Sequence, residues 1–310
     1  MIGGSVMSLL STSETKQKIA EEVQNTEDNL QIISAFCKTP AIEFVDQNIK
    51  RNITTKKLLV RFLLSDIIND ATDFELVEYC KNNGWKLYIR FDLHAKTYIF
   101  DRKRCILGSA NMTNNGLGLT FHGNYELSGF VDVDQTDLVK IDALFDNAIP
   151  MTDELYMKMK SNIEFVSKGS LNCSKLQWDK EIENLFIPQV DTLFTYDFPS
   201  TKVPNFNDIE SMSFLNCPQI LTSIDDVKEA FRWSKAFLWL NNHLSSCPDY
   251  TSFFGEIAAS LHNSLINDPK PYRKEVKDLL ANTLAWIDYL KMDEIRIDIP
   301  NYSQRVRKVL

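Results

Sequence analysis

Three short apolar runs, separated by helix signals, constrain the fold of this chain more than any other feature. They are "LQIISAFC" (30–37), "KLLVRFLL" (57–64) and "WKLYIRF" (85–91), each strand-length and rich in branched or aromatic residues. Between the first two, Thr39 caps a helix that has Pro40 at its first position, where the missing N–H costs nothing. Between the second and third, Thr72 with Glu75 reads as a capping box and Gly84 as the stop. The result is a βαβαβ unit whose strands are buried on both faces, hence an α/β layer with helices packed on a mixed sheet. A polar helix near 13–25 precedes it, strands near 93–100, 105–110 and 124–133 follow, and the helix "QTDLVKIDALFDNA" (135–148) closes this half.

From about residue 165 the texture changes. "NLFIPQVDTLFTYDFPSTKVPNF" is interrupted by prolines and reads as a linker or crossing strands. Beyond it the pattern is mainly helical. Ser223 with Asp226 opens one helix striped by Val227, Ala230, Phe231, Ser234, Phe237 and Leu238. Helices are expected at 251–266 and 271–291, and "IRIDI" alternates like a final strand. The expected division is thus 1–165, the α/β half, and 166–310, a mainly helical region of unassigned role.

The net charge of −8 argues against a protein that coats nucleic acid nonspecifically, because such binding needs many phosphates neutralised by Lys and Arg. A local cleft is compatible with it. Lys86, Arg90, Lys96, Arg102, Lys103 and Arg104 stand against only Asp92 and Asp101, an excess that suits a solvated hairpin tip as well as a phosphate-facing surface. Cys37, Cys80, Cys105, Cys173, Cys217 and Cys247 are scattered without a CxxC pair and read as reduced core thiols, with neither disulfides nor zinc. No long apolar run or secretory leader pattern is found, so a cytoplasmic location without membrane contact is expected.

The chemistry sits in "HAKTYIFDRKRCILGSAN", which begins at His94. Alternation along a strand puts His94 and Lys96 on one face. If "DRKR" (101–104) is a four-residue turn, Phe100 pairs with Cys105, Lys96 lies opposite Ser109 and His94 opposite Asn111. A slip of one residue would turn Ser109 and Asn111 away. Such a patch suits a phosphodiester. Lysine neutralises a nonbridging oxygen, the amide and hydroxyl donate to the same phosphoryl group, and an imidazole can attack phosphorus. In-line displacement also needs a proton donor for the leaving oxygen, so a second histidine is wanted.

The spacing HxKx4Dx6GSxN, read through His94, Lys96, Asp101, Gly108, Ser109 and Asn111, resembles the signature of the phospholipase D superfamily in full. Six fixed positions at roughly 5% usage each coincide by chance in such a chain on the order of once in a hundred thousand. The resemblance covers about 1–150 and implies a phospholipase D-like catalytic domain there. Superfamily lipases and transferases usually carry two such motifs, and this chain has one. It is therefore similar to the single-motif branch of bacterial nucleases and restriction endonucleases, in which two protomers pool their motifs across a dyad. The resemblance implies a homodimer with one shared site, a covalent phosphohistidine at His94, and Lys96, Ser109 and Asn111 on the phosphoryl oxygens. It makes Glu126, in "GNYEL", the acid that orients the histidine, and gives Asp101 the task of fixing the hairpin. It implies no metal and no cofactor.

A metal-independent nuclease, acting on DNA more readily than RNA and set in restriction or anti-phage defence, is the first reading. A lipid phosphodiesterase and a noncatalytic scaffold that kept the fold stay open beside it. A further protein partner would engage the 166–310 region. The remaining histidines, His122, His243 and His262, read as structural. "NNGLG" (114–118) reads as a turn, since it lacks a Walker lysine, and Trp233 and Trp239 read as core.

Overall fold

The computed structural model describes residues 8–168, 176–183, 185, 186, 188–190, 192–206, 208, 210–216, 221 and 223–309. The chain divides into two compact units, Met1–Phe186 and Ile187–Leu310.

The first unit is a mixed sheet flanked by helices. β1 (Ser8–Ser11) leads into α1 (Thr12–Asn25), and the expected βαβαβ unit follows as β2 (Asn29–Ser34), α2 (Thr39–Asn48), β3 (Thr55–Val60), α3 (Leu64–Ile68), α4 (Leu76–Asn82) and β4 (Trp85–Ile89). β5 (Lys96–Phe100) and β6 (Arg104–Gly108) form a hairpin, β7 (Leu127–Asp132) lies beside β6, and α5 (Gln135–Asp146) crosses to the short β8 (Ile149–Pro150). The sheet runs β1-β7-β6-β5-β2-β3-β4-β8, with β2, β3 and β4 parallel and the remaining pairs antiparallel. Both faces are apolar, as a doubly covered sheet requires. Ile32, Leu58, Tyr98 and Ile106 share one core with Ile19 of α1 and Ile42 of α2, while Ile33, Leu59, Ile99 and Cys105 meet Ile141 and Phe145 of α5 on the other side.

Three local expectations are corrected. Lys38, not Thr39, is the N-cap of α2, which begins at Thr39 with Pro40 second and has no side-chain cap. Thr72 does not cap α4. It is buried, its hydroxyl accepts from the Cys37 N–H at 3.4 Å, and α4 starts only after Glu75, which makes no side-chain cap. The β5–β6 hairpin is tighter than a four-residue turn. Asp101 and Arg102 both adopt left-handed φ (+48° and +55°), so the ladder pairs Phe100 with Arg104 and Ile99 with Cys105, one residue out of the expected register. Gly84, at φ +71°, ends α4 as expected, since that conformation strains any residue with a Cβ.

After β8, α6 (Asp153–Lys168) and α7 (Lys180–Glu183) complete the first unit. Trp178 and Ile182 join its core, and Trp178 Nε1 donates to the Phe62 carbonyl at 2.8 Å.

The second unit is mainly helical with a small sheet. α8 (Ile224–Arg232) is capped by Ser223, whose hydroxyl accepts from the Asp226 N–H at 3.1 Å. The expected continuous stripe is broken. Ser234 caps a separate helix, α9 (Lys235–Ser246), so Phe231 and Phe237 face one core from different helices. The segment expected as helix 251–266 begins as β9 (Thr251–Phe253) before α10 (Phe254–Ser264). α11 (Arg273–Tyr289) follows, and β10 (Ile295–Asp298) pairs with β11 (Arg305–Lys308), a strand that the sequence reading did not identify. Trp239 is core, as read. Trp233, at 44% exposure, is not core and donates Nε1 to Glu229 at 3.0 Å.

Cys37, Cys80 and Cys105 are buried free thiols, and Cys247 is a partly exposed one. Cys173 and Cys217 lie outside the described residues.

Candidate active site

The site forms where the parallel strands β2 and β3 end and β5 begins, an edge at which α/β sheets commonly place ligands. Lys96, the first residue of β5, stands directly opposite Ser34, the last of β2. It is 9% exposed, and its Nζ donates to the His94 carbonyl at 2.6 Å. Burial lowers the ammonium below the usual lysine range and the nearby charge of Arg61 lowers it further, while Glu126 pulls the other way.

The observed register sets Lys96 opposite Gly108 rather than Ser109, the one-residue slip that would disperse the polar set if β6 simply continued. It does not continue. β6 stops at Gly108, and Ser109 and Asn111 are placed by side-chain bonds instead of by strand alternation. Asn111 Oδ1 accepts from the Phe36 N–H at 3.2 Å, and Ser34 Oγ lies 3.4 Å from it while giving its one proton to the Phe36 carbonyl at 2.6 Å. Ser34 is fully buried, and its hydroxyl also accepts from the Met112 N–H at 2.8 Å. With Oδ1 so engaged, the two amide hydrogens of Asn111 are the groups left to meet a ligand oxygen. Ser34, absent from the sequence reading, thus ties the segment around Asn111 to the Lys96 end of β2 through the Phe36 carbonyl and the Met112 N–H. At a buried strand end a serine carries no spacing signal.

Ser109 donates its hydroxyl hydrogen to Glu126 and accepts from the Leu127 N–H at 3.1 Å. Glu126, 7% exposed, also accepts from Asn124 Nδ2 at 3.0 Å, and its own N–H donates to Thr12 Oγ1 at 2.7 Å. The structure therefore brings Glu126 to Ser109 and into the electrostatic range of Lys96, and gives it no bond to the His94 ring. His94 itself is exposed at the rim.

Gly108 has a steric reason. A Cβ there would lie 2.4 Å from the Leu127 carbonyl oxygen and 2.6 Å from Ser128 Cα, both backbone atoms of the neighbouring strand. Gly116, inside "NNGLG", likewise abuts Asn111, with a Cβ 2.4 Å from the Asn111 carbonyl oxygen. That segment is a turn buttressing the asparagine.

Asp101 sits at the other end of β5, about 16 Å from Lys96 at roughly 3.3 Å per residue. Its carboxylate accepts from the backbone N–H groups of Glu27 at 3.0 Å, Asp28 at 2.9 Å and Asn29 at 3.0 Å, which pins the hairpin to the start of β2.

The basic run separates into pairs. Arg90 binds Asp92, Arg102 binds Asp142 and Arg104 binds Glu22, which leaves Lys86 and Lys103 exposed. It is no continuous cationic surface. His122 is exposed beside Phe121, His243 stacks on Trp239 with Nδ1 3.3 Å from Ser260 Oγ, and His262 lies in the last turn of α10. Among the described residues no group of three or more His, Cys, Asp or Glu side chains is arranged to hold a metal ion, and no helix is long and apolar enough to cross a membrane.

The mixed sheet thus carries buried Lys96, the oriented Asn111 amide and the exposed His94 around the ends of β2 and β5. Residues 19–149 match the family model described as "Cardiolipin synthase, PLD-like domain", so this segment carries a PLD-like domain. Similar solved structures include NucT from Helicobacter pylori, at 16% identity over 47% of this chain and 99% of that one, with a TM-score of 0.37. Nuc from Salmonella typhimurium, a phospholipase D family member, is similar at 10% identity over 48% and 99%, with a TM-score of 0.36. Phosphatidylserine synthase from Haemophilus influenzae is similar at 13% identity over 82% and 70%, with a TM-score of 0.39. No curated protein sequence matches the chain.

Proposed function

We propose that the protein is a metal-independent nuclease, acting on DNA in restriction or anti-phage defence, with one active site shared by a homodimer. The observation that carries this reading is the convergence of buried Lys96 and the oriented Asn111 amide beside an exposed His94. Lys96 and the Asn111 amide hold the nonbridging oxygens, where negative charge builds in the transition state. The His94 imidazole attacks phosphorus, a P–N bond forms and the P–O bond to the leaving group breaks. The partner subunit's His94 gives its proton to that oxygen, then takes one from the water that hydrolyses the phosphohistidine. Glu126 and Ser109 act as positioning residues. They steady the loop behind Asn111, and the carboxylate favours the charged form of Lys96. Asp101 is structural in this scheme. The unit from residue 187 onward is proposed to recruit a partner protein.

The test is a substrate panel in EDTA, with plasmid, single-stranded oligonucleotide, RNA and phosphatidyl lipid, beside His94→Ala. The reading expects nucleic-acid cleavage in EDTA that the variant loses. Cleavage that demands Mg²⁺, or lipid hydrolysis alone, overturns it. Light scattering must show a dimer, and an active monomer refutes the shared site.

A further inference from the structure

We propose that Arg61 is a second phosphate-binding residue of this site, taking the phosphate next to the one at Lys96 and Asn111 along a polynucleotide strand. The inference rests on the phosphodiesterase reading above and adds a requirement to it, a substrate with neighbouring phosphates.

Arg61 follows β3 directly. Val60, Ser34 and Lys96 lie side by side across β3, β2 and β5, and the Arg61 N–H donates to the Ala35 carbonyl at 3.3 Å. Two strand spacings of about 4.8 Å separate its backbone from that of Lys96, so the guanidinium stands at the same mouth of the sheet. Its orientation is fixed twice. Nε and Nη2 bind the two oxygens of Asp66 at 2.8 and 2.6 Å, and the guanidinium carbon lies 4.7 Å from the centre of the Phe36 ring. Phe36 is also the residue whose backbone N–H orients the Asn111 amide, so one residue supports both groups, Arg61 by its ring and Asn111 by its N–H.

The Asp66 pair engages Nε and Nη2 only, and among the described residues nothing accepts from Nη1. The Asp66 side chain is 7% exposed and that of Arg61 is 21% exposed, so the pair shows the guanidinium, not the carboxylate, to solvent. A planar donor locked from behind, with a free edge, is the geometry that binds phosphate oxygens. The charge of Arg61 also reaches Lys96, since it is among the causes that lower the lysine. Two cations held against their mutual repulsion, with one carboxylate spent on each side, favour an anion between or across them.

The experiment measures binding of a short labelled single-stranded oligonucleotide by anisotropy in EDTA over a range of salt. It compares the full chain with Arg61→Ala, Arg61→Lys and Asp66→Asn, each checked for cooperative thermal unfolding. Arg61→Ala is expected to weaken binding about tenfold or more, the loss of one charge-assisted contact. Its plot of log K against log salt should be shallower by about 0.7, the counterion share of one phosphate on a single strand. Arg61→Lys and Asp66→Asn keep the charge and should keep the slope. Equal weakening in Arg61→Ala and Asp66→Asn at an unchanged slope would show that Arg61 only braces Phe36, and would overturn the proposal. Hydrolysis of bis(p-nitrophenyl) phosphate by the unaltered chain is read in parallel. If that is absent while the slope still falls in Arg61→Ala, the nuclease reading fails and the phosphate contact at Arg61 stands.

Discussion

Replacing Asp101 by Asn separates scaffold from chemistry within the signature, because the two roles predict different losses. The carboxylate accepts the N–H groups of Glu27, Asp28 and Asn29 at 2.9–3.0 Å, and asparagine can keep only part of that set without the charge. Asn tolerates the left-handed backbone that Asp101 adopts at φ +48°, so the substitution adds no strain. Charge-assisted bonds to backbone are worth about 1.5–3 kcal/mol, and discounting for partial exposure leaves a cost of about 2 kcal/mol. In a unit of this size that lowers the melting temperature by about 4–8 °C. The sign of the pH dependence follows from the carboxyl itself. Burial pushes its pKa up, but the N–H groups of Asn29, Asp28 and Glu27 and the charge of Lys103 outweigh this and hold it below the usual aspartate range. Its stabilisation is therefore present above the unfolded value of about 3.9 and lost as pH falls through that value toward the folded one. Urea unfolding at neutral pH and near pH ~3 should show the variant's deficit shrinking in acid. Turnover per folded molecule should stay at the unaltered level. A deficit equal at both pH values refutes the electrostatic argument, and lost turnover without lost stability places Asp101 in the chemistry.

Two further substitutions test the site's construction. Gly108→Ala forces a Cβ to within 2.4 Å of the Leu127 carbonyl oxygen, and the strands must part at a cost of about 1–3 kcal/mol, read by thermal unfolding. An unshifted transition would show that β6 and β7 are looser than described. Glu126→Gln removes the charge that favours protonated Lys96, so the alkaline limb of the kcat/KM profile moves to lower pH. A limb that stays in place removes Glu126 from the electrostatics of the site.

The three parallel strands β2, β3 and β4 were legible because each is a short run rich in branched or aromatic residues, whereas the four-residue β1 was missed and the caps of α2 and α4 fall elsewhere than read. The hairpin register was not legible. Two consecutive left-handed residues, Asp101 and Arg102, shorten the turn, and neither glycine nor Asn-Gly marks them. The polar set assembles despite that slip because Phe36 and Glu126, distant in sequence, hold Asn111 and Ser109. Spacing alone identified His94, Lys96 and Asn111 as a group. It could not reveal Arg61 or Ser34, whose placement depends on strand pairing. The sequence left the basic run open between a solvated tip and a phosphate-facing surface because Asp142 and Glu22, the partners of Arg102 and Arg104, are remote in the chain.

The central claim is covalent catalysis at His94, and trapping the adduct tests it most directly. The protein is mixed with bis(p-nitrophenyl) phosphate in EDTA, quenched in alkali, under which phosphohistidine survives, and mapped by peptide mass spectrometry. A p-nitrophenylphosphoryl group on the His94 peptide, formed as one p-nitrophenolate leaves and absent from His94→Ala, is the expected result. Release of p-nitrophenolate with no adduct on that peptide, or an adduct that persists in His94→Ala, would contradict it.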